Sequence, residues 1–390
     1  ETLILGGNMP ICDYNKGSSV IGLTGLTEVV RTFSRSYKGD LVSIRPNGML
    51  PIIITPEHPV FATFGHASIR RLKRTSHNEI VFSQANWVRA KSLIPKKSNT
   101  DGNYVIVPII NGSFDRNEVS LLSFIKKRKP RHKGYRESYP LDEDSAWLIG
   151  FFVAEGSVTR EVRFSLSKFE EDIRDNVERI AKRLGYSART QYLENENSIL
   201  VSISSRVLAR ALDSWCGHRA FNKMIPDFIL MHSDNKILKA FLKGYEAGDS
   251  YQNVNKSRGN KSYRICSTVS LTLAEQLQLA YIRLGIWASV FLVKSAGKES
   301  IMGRECSVHA RYVVSYPLKP NQKRQKVKFD GEGVFCPVRE IKKIPYEGKV
   351  YNLETKDNSY LISNAIVHNC GKWFTSKFEL DLHTKLHYIL

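Results

Sequence analysis

Near the end of this 390-residue chain stands His368-Asn369-Cys370, three side chains able to break the backbone that carries them. An asparagine amide nitrogen can attack its own main-chain carbonyl, close a succinimide and sever the bond to the next residue. A neighbouring imidazole moves the protons of such a step, and a thiol just beyond holds an acyl group meanwhile. Alone the tripeptide is a weak signal, since it arises by chance in many proteins. It gains weight from Cys12 near the other end, with Thr55-Pro-Glu-His58 some forty residues further on.

A second chemistry is written in the middle of the chain. Ser145-Ala-Trp-Leu-Ile-Gly-Phe-Phe-Val-Ala-Glu-Gly156 is echoed by Leu238-Lys-Ala-Phe-Leu-Lys-Gly-Tyr-Glu-Ala-Gly-Asp-Ser250. Each copy reads as a mostly apolar helix with a glycine, Gly150 or Gly244, five residues before an acid. Glycines remove side chains, so two such helices can approach closely and bring Glu155 and Asp249 together at a pseudo-twofold axis. Like charges at that range raise each other's pKa. A divalent cation resolves the repulsion, and Mg²⁺ (or Mn²⁺) suits carboxylates whose remaining ligands are waters and phosphates. Metal-held carboxylates under a basic surface are what phosphodiester hydrolysis requires. One such acid is an ordinary helix end; a repeated pair calls for a function.

The surrounding elements set where these groups stand. Residues 12 to about 115 read as short strands with turn punctuation, for example Asp40-Leu-Val-Ser-Ile-Arg. A basic stretch follows, Lys126-Lys127-Arg128-Lys-Pro-Arg-His-Lys133, a linker or phosphate-contacting arm. From about 140 to 320, helices mix with alternating strands, and Ile180-Ala-Lys-Arg-Leu-Gly matches Tyr281-Ile-Arg-Leu-Gly within its own helix. The pattern is helix, hairpin, helix, taken twice. Residues 334 to 369 return to strand and turn. The expected architecture is therefore an all-β unit interrupted by an α/β (α+β) insert with pseudo-twofold symmetry. The expected boundaries are 1–11 flank, 12–120 first β part, 121–139 basic linker, and 140–322 insert, its repeats at about 140–235 and 236–322. The second β part follows at 323–369, then the 370–390 flank.

Composition sets outer limits. A formal charge of +20 favours polyanion partners, nucleic acid first, over a basic surface kept for solubility. No apolar run approaches the length of a membrane span, and the chain opens on no signal peptide. Six widely spaced cysteines without a CxxC pair argue for reduced thiols in an intracellular, cytoplasmic setting.

The central segments resemble the LAGLIDADG motifs of homing endonucleases, in the monomeric double-motif form. The resemblance implies a DNA-cleaving saddle whose strands lie in the major groove, with Glu155 and Asp249 as the metal-binding catalytic acids. Glutamate at the first site departs from the more usual aspartate. Lys223, in Asn222-Lys-Met-Ile-Pro226, sits where such proteins carry a lysine near the active site, to stabilise charge or activate water. Arg163, Arg264 and Arg311 alternate onto the expected DNA face, where arginine reads guanine or holds phosphate.

The outer segments, from Met9-Pro-Ile-Cys12 through Thr55-Pro-Glu-His58 and Trp87-Val-Arg to Val350-Tyr-Asn-Leu and Val367-His-Asn-Cys370, resemble the splicing blocks of inteins (Hint domains). The resemblance implies that Cys12 attacks the Ile11 carbonyl to give a thioester. His58 protonates the leaving nitrogen and Thr55 orients the junction. Cys370 takes the acyl group, Asn369 cyclises with help from His368, and the flanks join, with no cofactor. The double-stranded DNA target implied is the host gene without the insert, and the host protein continues from both ends. Asn352 stands where the family often has aspartate, and Asn358 near where many members carry another histidine. With β-branched Ile11, these departures imply slow or conditional splicing. Residues 370–390 resemble the later half of a C2H2 zinc finger, and splicing would bring Met9 to the position of its missing cysteine. The alternatives are a LAGLIDADG RNA maturase and a catalytically inactive DNA-binding module.

Overall fold

The computed structural model describes residues 3–4, 9–72, 75–97, 100–125, 136–193, 197–255, 261–301, 304–318, 327–331 and 333–369. They fall into two compact units, one drawn from Glu1–Asn111, Ser289–Phe291 and Asn321–Leu390, the other from Gly112–Ala288 and Leu292–Pro320. The first division runs between Asn111 and Gly112 rather than at 120. Strands Glu118–Ser120 and Ser138–Pro140, on either side of the basic stretch, pair with each other inside the second unit. Lys126, Lys127 and Arg128 lie outside the described residues. No described helix is long and apolar enough to cross a membrane. None of the described cysteines forms a disulfide, and Cys216, Cys266 and Cys336 are buried.

The first unit is built from strands. Period-2 alternation is plain at Ile52-Ile53-Ile54, where the outer two side chains are buried and the middle one exposed. Along the main path of its sheet the order is Met9–Pro10, Leu3–Ile4, Ser359–Ile362, Ala365–His368, Pro59–Leu72, Gly102–Pro108, Gly333–Thr355, Gly25–Pro46 and Ser19–Gly22. Val60, Val105, Val107, Val338 and Val367 fill its core. Two features of this order matter for chemistry. Leu3–Ile4 pairs with Ser359–Ile362 through Ile4 and Ile362, and on its other side with Met9–Pro10, so the strand entering Cys12 lies one strand away from the hairpin that delivers Asn369. That hairpin turns through Ser363 and Asn364, at φ 47° and 65°. Positive φ at both loop positions is the two-residue turn whose twist matches paired strands.

The second unit repeats one order of elements. Helix α1 (Glu143–Glu155), strands Gly156–Val158 and Val162–Ser167, helix α2 (Glu171–Arg183), then strands Ala188–Tyr192 and Ser198–Ile203 form the first round. Helix α3 (Arg206–Cys216) and the short α4 (Asp227–Leu230) lead into the second. There α5 (Asn235–Asp249), strands Ser250–Asn255 and Lys261–Thr268, and helix α6 (Leu271–Arg283) precede Ser289–Lys294 and Arg311–Pro317. Both four-stranded sheets run first, second, fourth, third strand. The second round carries an extra hairpin, Gly297–Ile301 with Arg304–Val308.

Helix α1 starts on a capping box in which Asp142 and Ser145 exchange hydrogen bonds, both 2.9 Å. Its glycines permit the packing on α5. A Cβ at Gly150 would stand 2.0 Å from the Phe241 carbonyl oxygen, and one at Gly244 2.0 Å from that of Trp147. Backbone therefore lies on backbone, and the helices end side by side on Glu155 and Asp249.

Candidate active sites

In the second unit, a cavity of about 500 Å³ opens at the C-terminal ends of α1 and α5, lined by Glu155, Asp249, Lys223, Asp213, His218, Arg219 and Arg311. Burial, then the charge of Glu155, pushes the Asp249 carboxyl up to about 7, against an opposing pull from Lys223. Burial and, secondarily, Glu170 raise Glu155 as well. Two helix C-termini add their negative ends to the same place. Both acids are thus held in a site that disfavours their own charge, which a divalent cation would restore. Among the described residues no three His, Cys, Asp or Glu side chains gather as a metal cage. Two carboxylates with room around them suit an ion that keeps waters and takes phosphate oxygens, not a closed structural site.

Lys223 reaches this cavity differently from the sequence expectation. Its Nζ donates to the carbonyl oxygens of Phe152 at 2.9 Å and Gly156 at 3.1 Å, and stands 3.9 Å over the Phe152 ring. Burial pulls its pKa down. The ammonium thus adds a donor to two carbonyls at the end of α1, three residues before Glu155 and one after it.

The three arginines separate. Arg163 alternates with buried Val162, Phe164 and Leu166, and shares Glu161 with Arg189. Arg311 lines the acid cavity. Arg264 does not join them on one face, which corrects the expectation. It shares strand parity with buried Cys266 and lies 3.8 Å from Glu246 on α5. The Tyr281 and Tyr316 hydroxyls also donate to Glu246, at 2.7 and 2.6 Å, so this face looks onto the helices.

Sequence reasoning missed Asp213 and His218, whose Oδ1 and Nδ1 stand 2.9 Å apart at the cavity wall. The adjoining Arg219 holds φ at 65°, an uncommon value for a side-chain-bearing residue. Gly217 before it has φ 81°, and a Cβ there would stand 1.8 Å from the Asn222 carbonyl oxygen. The Gly-His-Arg run ending α3 was the available signal.

In the first unit, a cavity of about 430 Å³ brings together Ile11, Cys12, Thr55, His58, Tyr351 and Tyr360. Cys12 sits exposed in a single 3₁₀ turn, Ile11–Asp13, with Sγ 3.5 Å from the Asp13 carboxylate. His58 follows the turn that its N–H closes on the Thr55 carbonyl at 3.0 Å. Its Nε2 has no hydrogen-bond partner among the described residues, and burial pulls the imidazole down to about 4. His58 is therefore neutral at pH 7. The Tyr360 ring lies edge-on at 6.4 Å, while its hydroxyl donates to Asn352 Oδ1 at 2.7 Å.

At the other junction His368 is buried, edge-on to Trp87 with ring centres 4.8 Å apart. Asn369 is buried too. Its main-chain N–H donates to the Asn358 carbonyl at 3.1 Å, and Nδ2 donates to Thr355 Oγ1 at 2.8 Å and Thr355 O at 3.1 Å. Asn358 supplies that carbonyl from a left-handed turn at φ 59°. Thr355 was missed because nothing in its type marks it. Cys370 and the rest of the zinc-finger-like flank lie outside the described residues.

Residues 142–216, which hold α1, α2 and α3, match the family model described as a LAGLIDADG-like domain. Over nearly the whole chain, similarity extends to larger proteins. The ATP-dependent DNA helicase Hel308 of Thermococcus kodakarensis is 28% identical over 93% of this chain and 35% of its own length. An uncharacterized protein of Methanocaldococcus jannaschii is 27% identical over 97% and 51%. An iron-sulfur cluster assembly SufBD family protein of Mycobacterium tuberculosis is 25% identical over 94% and 41%. The chain thus spans about half or less of the length of these relatives. Among solved structures, the homing endonuclease I-DmoI in complex with DNA and Ca is 14% identical, with TM-score 0.32 over 45% of this chain and 83% of that one.

Proposed function

We propose that this chain is a self-splicing intein of the Hint type that carries a site-specific LAGLIDADG DNA endonuclease. The observation that carries the reading is the convergence in the first unit: Cys12, Thr55 and His58 share one cavity with Tyr360 and Ile362, which belong to the hairpin that presents His368 and Asn369. The relatives support it. A sequence shared along its length by proteins named as a helicase and as an iron-sulfur assembly protein is separable from either named activity.

In this reading Cys12 Sγ attacks the Ile11 carbonyl carbon, the C–N bond to Cys12 breaks, and the thiol's proton ends on that nitrogen, which leaves as an amine as the thioester forms. His58, neutral and with Nε2 uncommitted, hydrogen-bonds the scissile peptide rather than arriving as a cation. Cys370 accepts the acyl group. Asn369 then cyclises, with His368 giving its proton to the departing amine, and an S-to-N shift joins the flanks. In the second unit a divalent cation held by Glu155 and Asp249 would supply an activated water and neutralise phosphate charge. Lys223 holds the last turn of α1 so that Glu155 keeps its position, and Arg311 and Arg219 line the cavity for phosphate. The domain bounds proposed follow the two structural units, 1–111 and 321–390 with 289–291, and 112–288 with 292–320, with the flanks at 1–11 and 370–390.

Intact-mass analysis of the fresh chain beside a Cys12→Ala, Asn369→Ala double variant tests splicing. The expected result is a fragment ending at Asn369 and a ligated flank peptide, both absent from the variant; an unchanged mass sinks this half. For the endonuclease, a linear duplex joining the coding sequences of 1–11 and 370–390 should be cut with Mg²⁺, and not by an Asp249→Asn variant. RNA binding without DNA cleavage would point to a maturase instead.

A further inference from the structure

The Asn369 side chain has to lose a proton from Nδ2 as that nitrogen becomes a nucleophile, and the acceptor must lie within hydrogen-bond reach. Among the described residues, the partners of Nδ2 both belong to Thr355. What lies against Nδ2 is the hydroxyl of Thr355, at 2.8 Å, with both residues about 2% exposed. That hydroxyl has a full set of partners. It accepts from the Ser359 N–H at 3.1 Å and has two acceptors for its own proton, the Ser359 carbonyl at 2.8 Å and Asp357 Oδ1 at 3.0 Å. Asp357 is itself fixed by the Ser359 N–H at 3.2 Å, the Ser359 hydroxyl at 3.2 Å and the Thr24 hydroxyl at 3.4 Å. A buried amide, a hydroxyl and a carboxylate thus stand in line. The Oδ1 of Asn369 has no partner among the described residues, so only the nucleophilic end of the amide is gripped.

We propose that Thr355 and Asp357 form a proton relay that activates Asn369 for cyclisation, replacing a histidine base. The inference rests on the splicing reading above. As Nδ2 bonds to the main-chain carbonyl carbon of Asn369, one of its protons passes to Thr355 Oγ1, and the threonine's own proton passes to Asp357 Oδ1. The bond from that carbonyl carbon to the nitrogen of residue 370 breaks, and this nitrogen takes a proton from His368. Asp357 gains one proton and His368 loses one, so the step balances and both reset through solvent. Thr355 touches the reacting atom and is catalytic; Asp357 acts through it.

The test uses the full chain with Cys12→Ala, in which only Asn369 cyclisation can occur, and follows release of the 370–390 peptide and the succinimide by mass. Thr355→Val, which keeps the shape and removes the hydroxyl, should slow release by roughly 10²-fold, the lower range for a lost acid–base group. Thr355→Ser should restore it to within several-fold, and Asp357→Asn should slow it about 10-fold or more. Thiol-driven cleavage at Cys12, read in an Asn369→Ala background, should be unchanged in all three. Release by Thr355→Val at the parent rate overturns the proposal. So does equal slowing by Thr355→Ser together with loss of the Cys12 reaction, since the hydroxyl would then be a packing group. If the Cys12→Ala parent itself forms no succinimide, the splicing reading fails and the relay falls with it.

Discussion

At the scale of the residue, burial decides what each ionisable group can do. His58 has a pKa of about 4, below the 6.5 of an exposed histidine, so the unfolded chain takes up its proton first. Its contribution to unfolding free energy is undiminished above pH 6.5 and falls as pH drops towards 4. The loss over that window should reach roughly 3 kcal/mol as an upper figure. Denaturant titrations of the chain and a His58→Gln variant across pH 4–7 check this, the variant losing less. Lys223 illustrates a different balance. Its ammonium is desolvated, yet it meets two carbonyls and an aromatic face. Lys223→Met should lower stability of the second unit by about 1–3 kcal/mol, because two carbonyls at a buried helix end each lose one donor. It should also move the Asp249 carboxyl further up, since Lys223 is the group opposing that shift. NMR titration of Asp249 in both forms reads the second effect; an unmoved carboxyl would remove Lys223 from the electrostatics of the site.

At the scale of the element, the α1–α5 contact is the strictest constraint in the second unit. Each glycine lies where a Cβ would enter a carbonyl oxygen of the partner helix. Gly150→Ala or Gly244→Ala should therefore separate the helices rather than repack a side chain, costing roughly 1–3 kcal/mol or more. Thermal melts should show the loss in the second unit alone, and DNA cleavage should fall more than DNA binding, because the acids end these two helices. The strands follow a looser rule. Alternation was readable in Val162–Ser167, but Tyr263-Arg-Ile-Cys offers two faces of similar character. The inward face proved to be that of Arg264 and Cys266, because Glu246, Tyr281 and Tyr316 form a polar seat for the arginine there.

At the scale of the whole molecule, two units with separate cavities in one chain predict separable activities. Asp249→Asn should abolish DNA cleavage and leave splicing at the parent rate, while Asn369→Ala should do the reverse; a double loss from either change would refute the separation. The net charge of +20 adds a second expectation. If six or more phosphates are contacted, affinity for duplex DNA should fall about 10³-fold between 50 and 200 mM salt. A shallow salt dependence would assign the charge to solubility.

The sequence by itself pointed to the kinds of chemistry proposed, because those depend on local types and spacing. His368-Asn369, Thr55-x-x-His58 and the two helices ending in acids are short patterns, and a glycine five residues before an acid already implies a close helix pair. The interruption of a strand-rich part by a mixed one was legible for the same reason, as periodicity changes along the chain. Tertiary structure alone decided which groups serve one another. Thr355 meets Asn369 across a hairpin, Lys223 meets the end of α1 from 71 residues away, and Arg264 turned inward. Such contacts depend on strand parity and on which distant carbonyl or carboxylate lacks a partner. Those are set only when the sheets and helices have packed.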